Sequence, residues 1–255
     1  MGDMIDRPHT QHPTIAAVRE GLVADHARIE AALPGHLRGT AGDFVRLALV
    51  EFRKAPKLLD CDPRSIISSV LDAARLGLKP GPLGAVYFVP HGKECSLIVG
   101  YRGLIELATR TGHITKVEAR VAYEGEDFQV RLGTEPSITH LARFDVPHTW
   151  ERVVAVYAVA HLKEGGTSFC VMTREEVEVI RERSKARTGP WMTDTIQMAV
   201  KTVIKRAAKL WPASSALAEA IALDNDATGY ETMAPRRAQQ DITAAALTWT
   251  EPPGA

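Results

Sequence analysis

Apolar positions along this chain repeat first with a helical period, then alternate, then return to the helical period. Residues 15–33 have helical spacing, stopped by Pro34-Gly35, and residues 41–54 place Phe44, Val45, Ala48, Leu49 and Phe52 on one face. A third helix is predicted from Asp62-Pro63, an N-cap followed by proline at the first helical position, with Ile66, Ile67, Val70, Leu71 and Ala74 inward and Gly77 at its end. The stretch 78–84, with two prolines and two glycines, breaks the pattern. Strands are then expected over 86–89 and 96–99, joined by the turn Pro90-His91-Gly92-Lys93. A helix over 102–110 follows, closed by Gly112. Residues 114–123, 128–132, 137–140, 153–162 and 168–172 read as further strands, and 174–184 as a helix leading into the loop 185–190.

The segment from Trp191 to Trp211 is expected to be one helix with two different faces. Ile196, Ala199, Val200, Val203, Ile204, Ala207 and Leu210 fall on one side, and Lys201, Lys205, Arg206 and Lys209 on the other. Thr193 and Asp194 are candidate caps, with Gln197 in capping-box spacing from Asp194, and Pro212 ends the ladder. Residues 213–223 extend the helical region briefly. The order of elements gives an α+β class: N-terminal helices, a central antiparallel sheet with an inserted helix, and C-terminal helices that form a basic groove with the sheet. Residues 1–14 are expected to be disordered, 15–223 to form one domain, and 224–255 to be a flexible tail.

Composition narrows the function. With 31 basic and 31 acidic residues among 255, net charge is zero, so a polyanion must be met by a patch. That patch is visible around the last strong helix. Arg181, Arg183, Lys185 and Arg187 precede it, and only Glu182 and Asp194 are acidic between Arg181 and Lys209. Three widely spaced cysteines suggest neither a disulfide framework nor a zinc knuckle, which fits a reducing cytosol. No run is apolar enough for a membrane span, so a cytoplasmic protein is expected. The sequence lacks a phosphate-binding GxxxxGK[ST] loop, a dinucleotide fingerprint, HExxH spacing and a GxSxG elbow. The acidic run Glu124, Glu126, Asp127 supports one of two alternatives: with a divalent ion it would make a nuclease. An adaptor, using the basic helix as a subunit contact, is the other.

Several separated blocks resemble the RecT family of phage single-strand annealing proteins of Red-type homologous recombination. They are CDPRSI with AARLGLKPGP (61–82), AVYFVP (85–90), IVGYRGLIELATRTGHI (98–114), and Trp191 followed by DTIQMAVKTVIKRAAKLWP (194–212). Their order and spacing make the match specific across about 61–212. The resemblance implies ATP-independent binding of single-stranded DNA and annealing to a complementary strand, by homo-oligomers that form rings or helical filaments in a bacterial host. It also implies a tail directed at the host single-strand-binding protein, and a phage exonuclease as a partner. No cofactor is expected, and magnesium only as a modulator.

Annealing requires a grip on phosphates that leaves base edges open, hence cations along a groove. Lys201, Lys205, Arg206 and Lys209 are expected as phosphate ligands, with Lys185, Arg187 and Gln197 beside them. Gly100-Tyr101-Arg102-Gly103 is the second candidate, since glycines admit a close backbone and Arg102 lies at a helix start. Tyr101 and Trp191 offer faces for base stacking, with core packing as the competing use. Arg110, Lys116 and Arg120 would extend the groove, while Trp211 and Tyr87 are assigned to the core.

Overall fold

The computed structural model describes residues 14–184, 190–212 and 214–228. Its first layer is helical: α1 (Ile15–Ala24), α2 (His26–Ala32), α3 (Ala41–Lys54) and α4 (Pro63–Leu76). The single helix expected over 15–33 is broken at Asp25, which ends α1 and begins α2. Glu30 of α2 caps its neighbour, accepting hydrogen bonds from Gly39 N at 2.5 Å and Ala41 N at 3.2 Å. Those donors, Gly39 first, hold its carboxyl below the ordinary glutamate value. In α4, Asp62 accepts from Arg64 N at 2.7 Å, and the helix closes on Gly77 in the left-handed conformation, φ 65°. Phe44, Phe52, Ile66 and Val70 are fully buried between these helices, and the Phe52 ring meets Phe88 at 4.9 Å between centroids.

Strands β1 (Val86–His91) and β2 (Glu94–Val99) pair antiparallel from Val86↔Val99 to His91↔Glu94. The turn is therefore the two residues Gly92-Lys93, shorter than expected, with Gly92 at φ 63°. After α5 (Tyr101–Arg110) come β3 (Ile114–Tyr123), the hairpin β4 (Asp127–Arg131) and β5 (Ser137–Leu141), then β6 (Val153–Leu162) and β7 (Thr167–Thr173). The expected central sheet is thus three separate antiparallel sheets among the described residues: β1-β2, β3-β6-β7 and β4-β5.

Helix α6 (Arg174–Arg183) opens with a complete capping box between Thr173 and Glu176. The helix expected over 191–211 is divided into α7 (Pro190–Thr193) and α8 (Thr195–Ala208). Asp194 is the N-cap of α8, but its side chain makes no cap bond and instead accepts from the Thr193 hydroxyl at 2.6 Å. Helix α9 (Ser215–Thr228) runs through residues 224–228, which the sequence placed in the tail. The expected disorder of residues 1–13, and the tail from 229 on, lie outside the described residues.

Packing places the strongest sheet between two environments. Helix α8 lies against β3, β6 and β7, and Val117, Ala119 and Val121 of β3 pack into the core. Alternation turns Lys116, Glu118 and Arg120 to the opposite side, across from His161, Val159 and Tyr157. Among the described residues no helix is long and apolar enough to cross a membrane.

Candidate nucleic-acid interface

The cations of α8 do not share one open face. Lys205 Nζ donates to Asp224 Oδ2 at 2.5 Å, and Lys201 Nζ donates to Asp224 Oδ1 at 3.2 Å. Asp224 is inaccessible and Lys205 is 3% exposed. Burial pulls the Lys205 ammonium below the ordinary lysine value, while Asp224 works against that shift. Arg206 remains exposed, with Nη1 donating to Glu176 Oε1 at 2.7 Å, and Lys209 and Gln197 are exposed. The expected row of solvated lysines is therefore corrected at Lys201 and Lys205, which bind a carboxylate of α9. The physical reason lies in α9: Leu217, Ala220 and Asp224 recur on one helical face, so burying the two apolar residues carries the carboxylate inward. A buried carboxylate requires a partner, and long lysine stems can reach it from α8.

Other expected contacts are also used by the fold. Arg110 Nη1 donates to Leu76 O at 2.8 Å and its Nη2 to Gly77 O at 3.1 Å and Glu106 Oε1 at 2.6 Å. It closes the carbonyl end of α4, where a cation is favoured. Trp191 is only 7% exposed and packs in the core, the competing use the sequence left open for it. Lys116 and Arg120 are exposed on the outer face of β3, 3.0 Å and 3.3 Å from Glu118. The sheet separates them from α8, so they do not extend a groove along that helix. Lys185 and Arg187 lie outside the described residues.

The nuclease alternative does not assemble. The Glu126 side chain is buried, and its carboxylate accepts from Tyr123 N at 2.7 Å, Arg143 N at 3.0 Å and His140 Nε2 at 3.0 Å. Glu124 instead faces Arg152 at 3.7 Å, and Asp127 accepts from Gln129 at 3.0 Å. Among the described residues no group of three or more His, Cys, Asp or Glu is placed to hold a metal ion.

What remains is the corner where β1 leaves the loop and α5 begins. Gly100 is the N-cap of α5 in extended conformation, and its N–H donates to Ala85 O at 2.9 Å. A methyl group on Gly100 would collide with Gly84 O, and one on Gly103 with Ala85 O. These glycines do admit a close backbone, but it is the chain's own. Helix α5 starts with neither a side-chain cap nor an acidic residue in its first turn, leaving the positive end of its dipole uncompensated there. Arg102 stands at that end, exposed, with Nη1 donating to Leu83 O at 3.3 Å and Nε to the Tyr101 hydroxyl at 3.4 Å. Its guanidinium carbon lies 5.9 Å from the Tyr101 ring centroid. The Tyr101 hydroxyl, first, and Tyr87, more weakly, hold its pKa above the usual arginine value.

Tyr87 corrects a further expectation, because it is 52% exposed and not in the core. Val86 and Phe88 are buried, and alternation along β1 turns Tyr87 to the other side. The run Val86-Tyr87-Phe88-Val89 is apolar throughout, so periodicity could not separate its two faces.

The family model described as "RecT family" matches residues 42–241, a wider span than the blocks legible in the sequence. The chain is 42% identical over 209 residues to Protein RecT of Escherichia coli (strain K12), covering 77% of this chain and 75% of that protein. It is also 28% identical over 190 residues to the uncharacterized protein YqaK of Bacillus subtilis (strain 168), covering 74% of this chain and 65% of that one.

Proposed function

Because the chain belongs to the RecT family, we propose that it binds single-stranded DNA and anneals it to a complementary strand without ATP. It works as a homo-oligomer in the bacterial cytoplasm and carries out no covalent catalysis. Membership of the family supports a DNA-binding recombination protein at the coarse level. The observation that carries the finer reading is Arg102, an exposed guanidinium held in place by Leu83 O and the Tyr101 hydroxyl at an uncapped helix start.

A fixed cation beside oriented backbone N–H groups is suited to a phosphate. It reads no base, which leaves coding edges open for a second strand. Arg206, Lys209 and Gln197 on α8 provide further polar contacts, and α5 packs directly on α8. Lys116 would meet DNA only from the other side of the sheet. Lys201 and Lys205 are assigned to holding α9. The chain beyond 228 would serve the host single-strand-binding protein, with a phage exonuclease as a further partner, and magnesium would only modulate the reaction.

The test mixes two complementary oligonucleotides carrying donor and acceptor dyes with the full chain, with no nucleotide and no metal. Energy transfer should rise faster with protein than without it. An unchanged rate, with neither strand retained on a filter, would refute the proposal.

A further inference from the structure

The corner around Arg102 includes an aromatic ring to which nothing so far gives a role. Tyr87 lies across the backbone of Gly84 and Gly100. A methyl on Gly84 would collide with its hydroxyl and stand 3.3 Å from Cζ, and one on Gly100 would stand 3.0 Å from Cε2. The ring is therefore backed by two glycines and still 52% exposed. Leu83, beside it, is also exposed. Two glycines that have no side chains make room for this ring, and Gly84 adopts φ 66°, which an L side chain rarely takes. An aromatic surface held at low conformational cost next to a fixed guanidinium has the chemistry of a stacking platform, where one group takes a base and the other its phosphate.

We propose that Tyr87, backed by Gly84 and Gly100, stacks on an unpaired nucleobase of the strand whose phosphate Arg102 holds. This inference rests on the DNA-binding reading above and adds to it a contact with the base face. The occupant is a single-stranded nucleic acid, argued from charge: the neighbouring cation and the uncapped helix start both favour an anion. A base of any identity offers a π-face, so the contact holds the strand without selecting a sequence.

The experiment uses the full chain and two probes, a fluorescent oligothymidylate and an abasic strand of the same length. Tyr87→Ala and Tyr87→Leu should each weaken oligothymidylate binding by about 5- to 100-fold, while Tyr87→Phe stays close to wild type. On the abasic strand all four proteins should bind alike. Leucine keeps the apolar cover of the strand and removes only the ring, so loss in both variants with unchanged circular dichroism reports stacking. Wild-type affinity of Tyr87→Leu for oligothymidylate overturns the inference, and so does an equal loss on both probes, which marks a subunit contact. In either of those cases wild-type binding persists, and the annealing proposal stands. A wild-type chain that retains neither probe overturns both.

Discussion

Single side chains in this protein are most informative where burial forces a partner on them. Glu126 is enclosed at the base of the β4-β5 hairpin, where burial would raise its pKa, but bonds from Tyr123 N, Arg143 N and His140 outweigh that and leave it lowered. A carboxyl lowered on folding contributes stability that is complete above its unfolded value, about 4.3, and is lost as pH falls through the lower folded value. Glu126→Gln should therefore cost about 1.5–3 kcal/mol at pH 7 and show a flatter decline in urea midpoint below pH 4 than wild type. A parallel decline would mean that the carboxylate is not a source of acid sensitivity. Cys95 gives a second prediction at this scale. Burial pushes its thiol up to about 11, with the Ser69 hydrogen bond opposing. At pH 8 roughly one molecule in a thousand is then thiolate there, so Ellman's reagent should label Cys95 slowly in the native chain, and all three cysteines rapidly in guanidinium.

Elements are joined by groups that sequence distance conceals. The contact of Asp224 with Lys201 and Lys205 ties α9 to α8 across about two dozen residues. Removing one side of a buried pair leaves an uncompensated charge, so Asp224→Ala should destabilise the fold by about 3–5 kcal/mol in urea unfolding. Lys205→Met combined with Asp224→Leu should recover most of that loss, because apolar groups of similar volume need no partner. Failure of the double variant to exceed Asp224→Ala would show that the pair's geometry, and not charge burial, sustains α9. Arg110 joins elements in the same way, reaching from the last turn of α5 to the carbonyl end of α4.

Across the whole molecule, neutral net charge makes DNA affinity a matter of local placement. Each phosphate neutralised on a single strand contributes about −0.7 to the slope of log affinity against log salt. Arg102→Ala should therefore flatten that slope by roughly 0.7, whereas Lys201→Ala with Lys205→Ala should lower the unfolding midpoint and leave the slope as it was. A flattened slope in the lysine pair would mean that Lys201 and Lys205 of α8 leave Asp224 of α9 when the strand binds. The annealing assay tests the assembled protein, and light scattering in the same buffer reads its oligomeric mass.

The sequence by itself determined the kind of element at nearly every position, because periodicity, caps and breakers are local properties. Pro63 and Gly77 bound α4, the Thr173 and Glu176 pair starts α6, and Gly92 forces a hairpin turn. It also carried the family, whose blocks keep their order in the chain. Tertiary structure decided which charges meet solvent and which meet each other. Lys205 and Lys209 are both solvated cations by helical spacing, yet one is buried because α9 brings a carboxylate against it. The same holds for Trp191, which the sequence left open between stacking and core packing and the fold buries, and for Tyr87, expected in the core and found exposed. Periodicity reports how a residue is arranged relative to its neighbours in the chain; what covers it depends on distant elements.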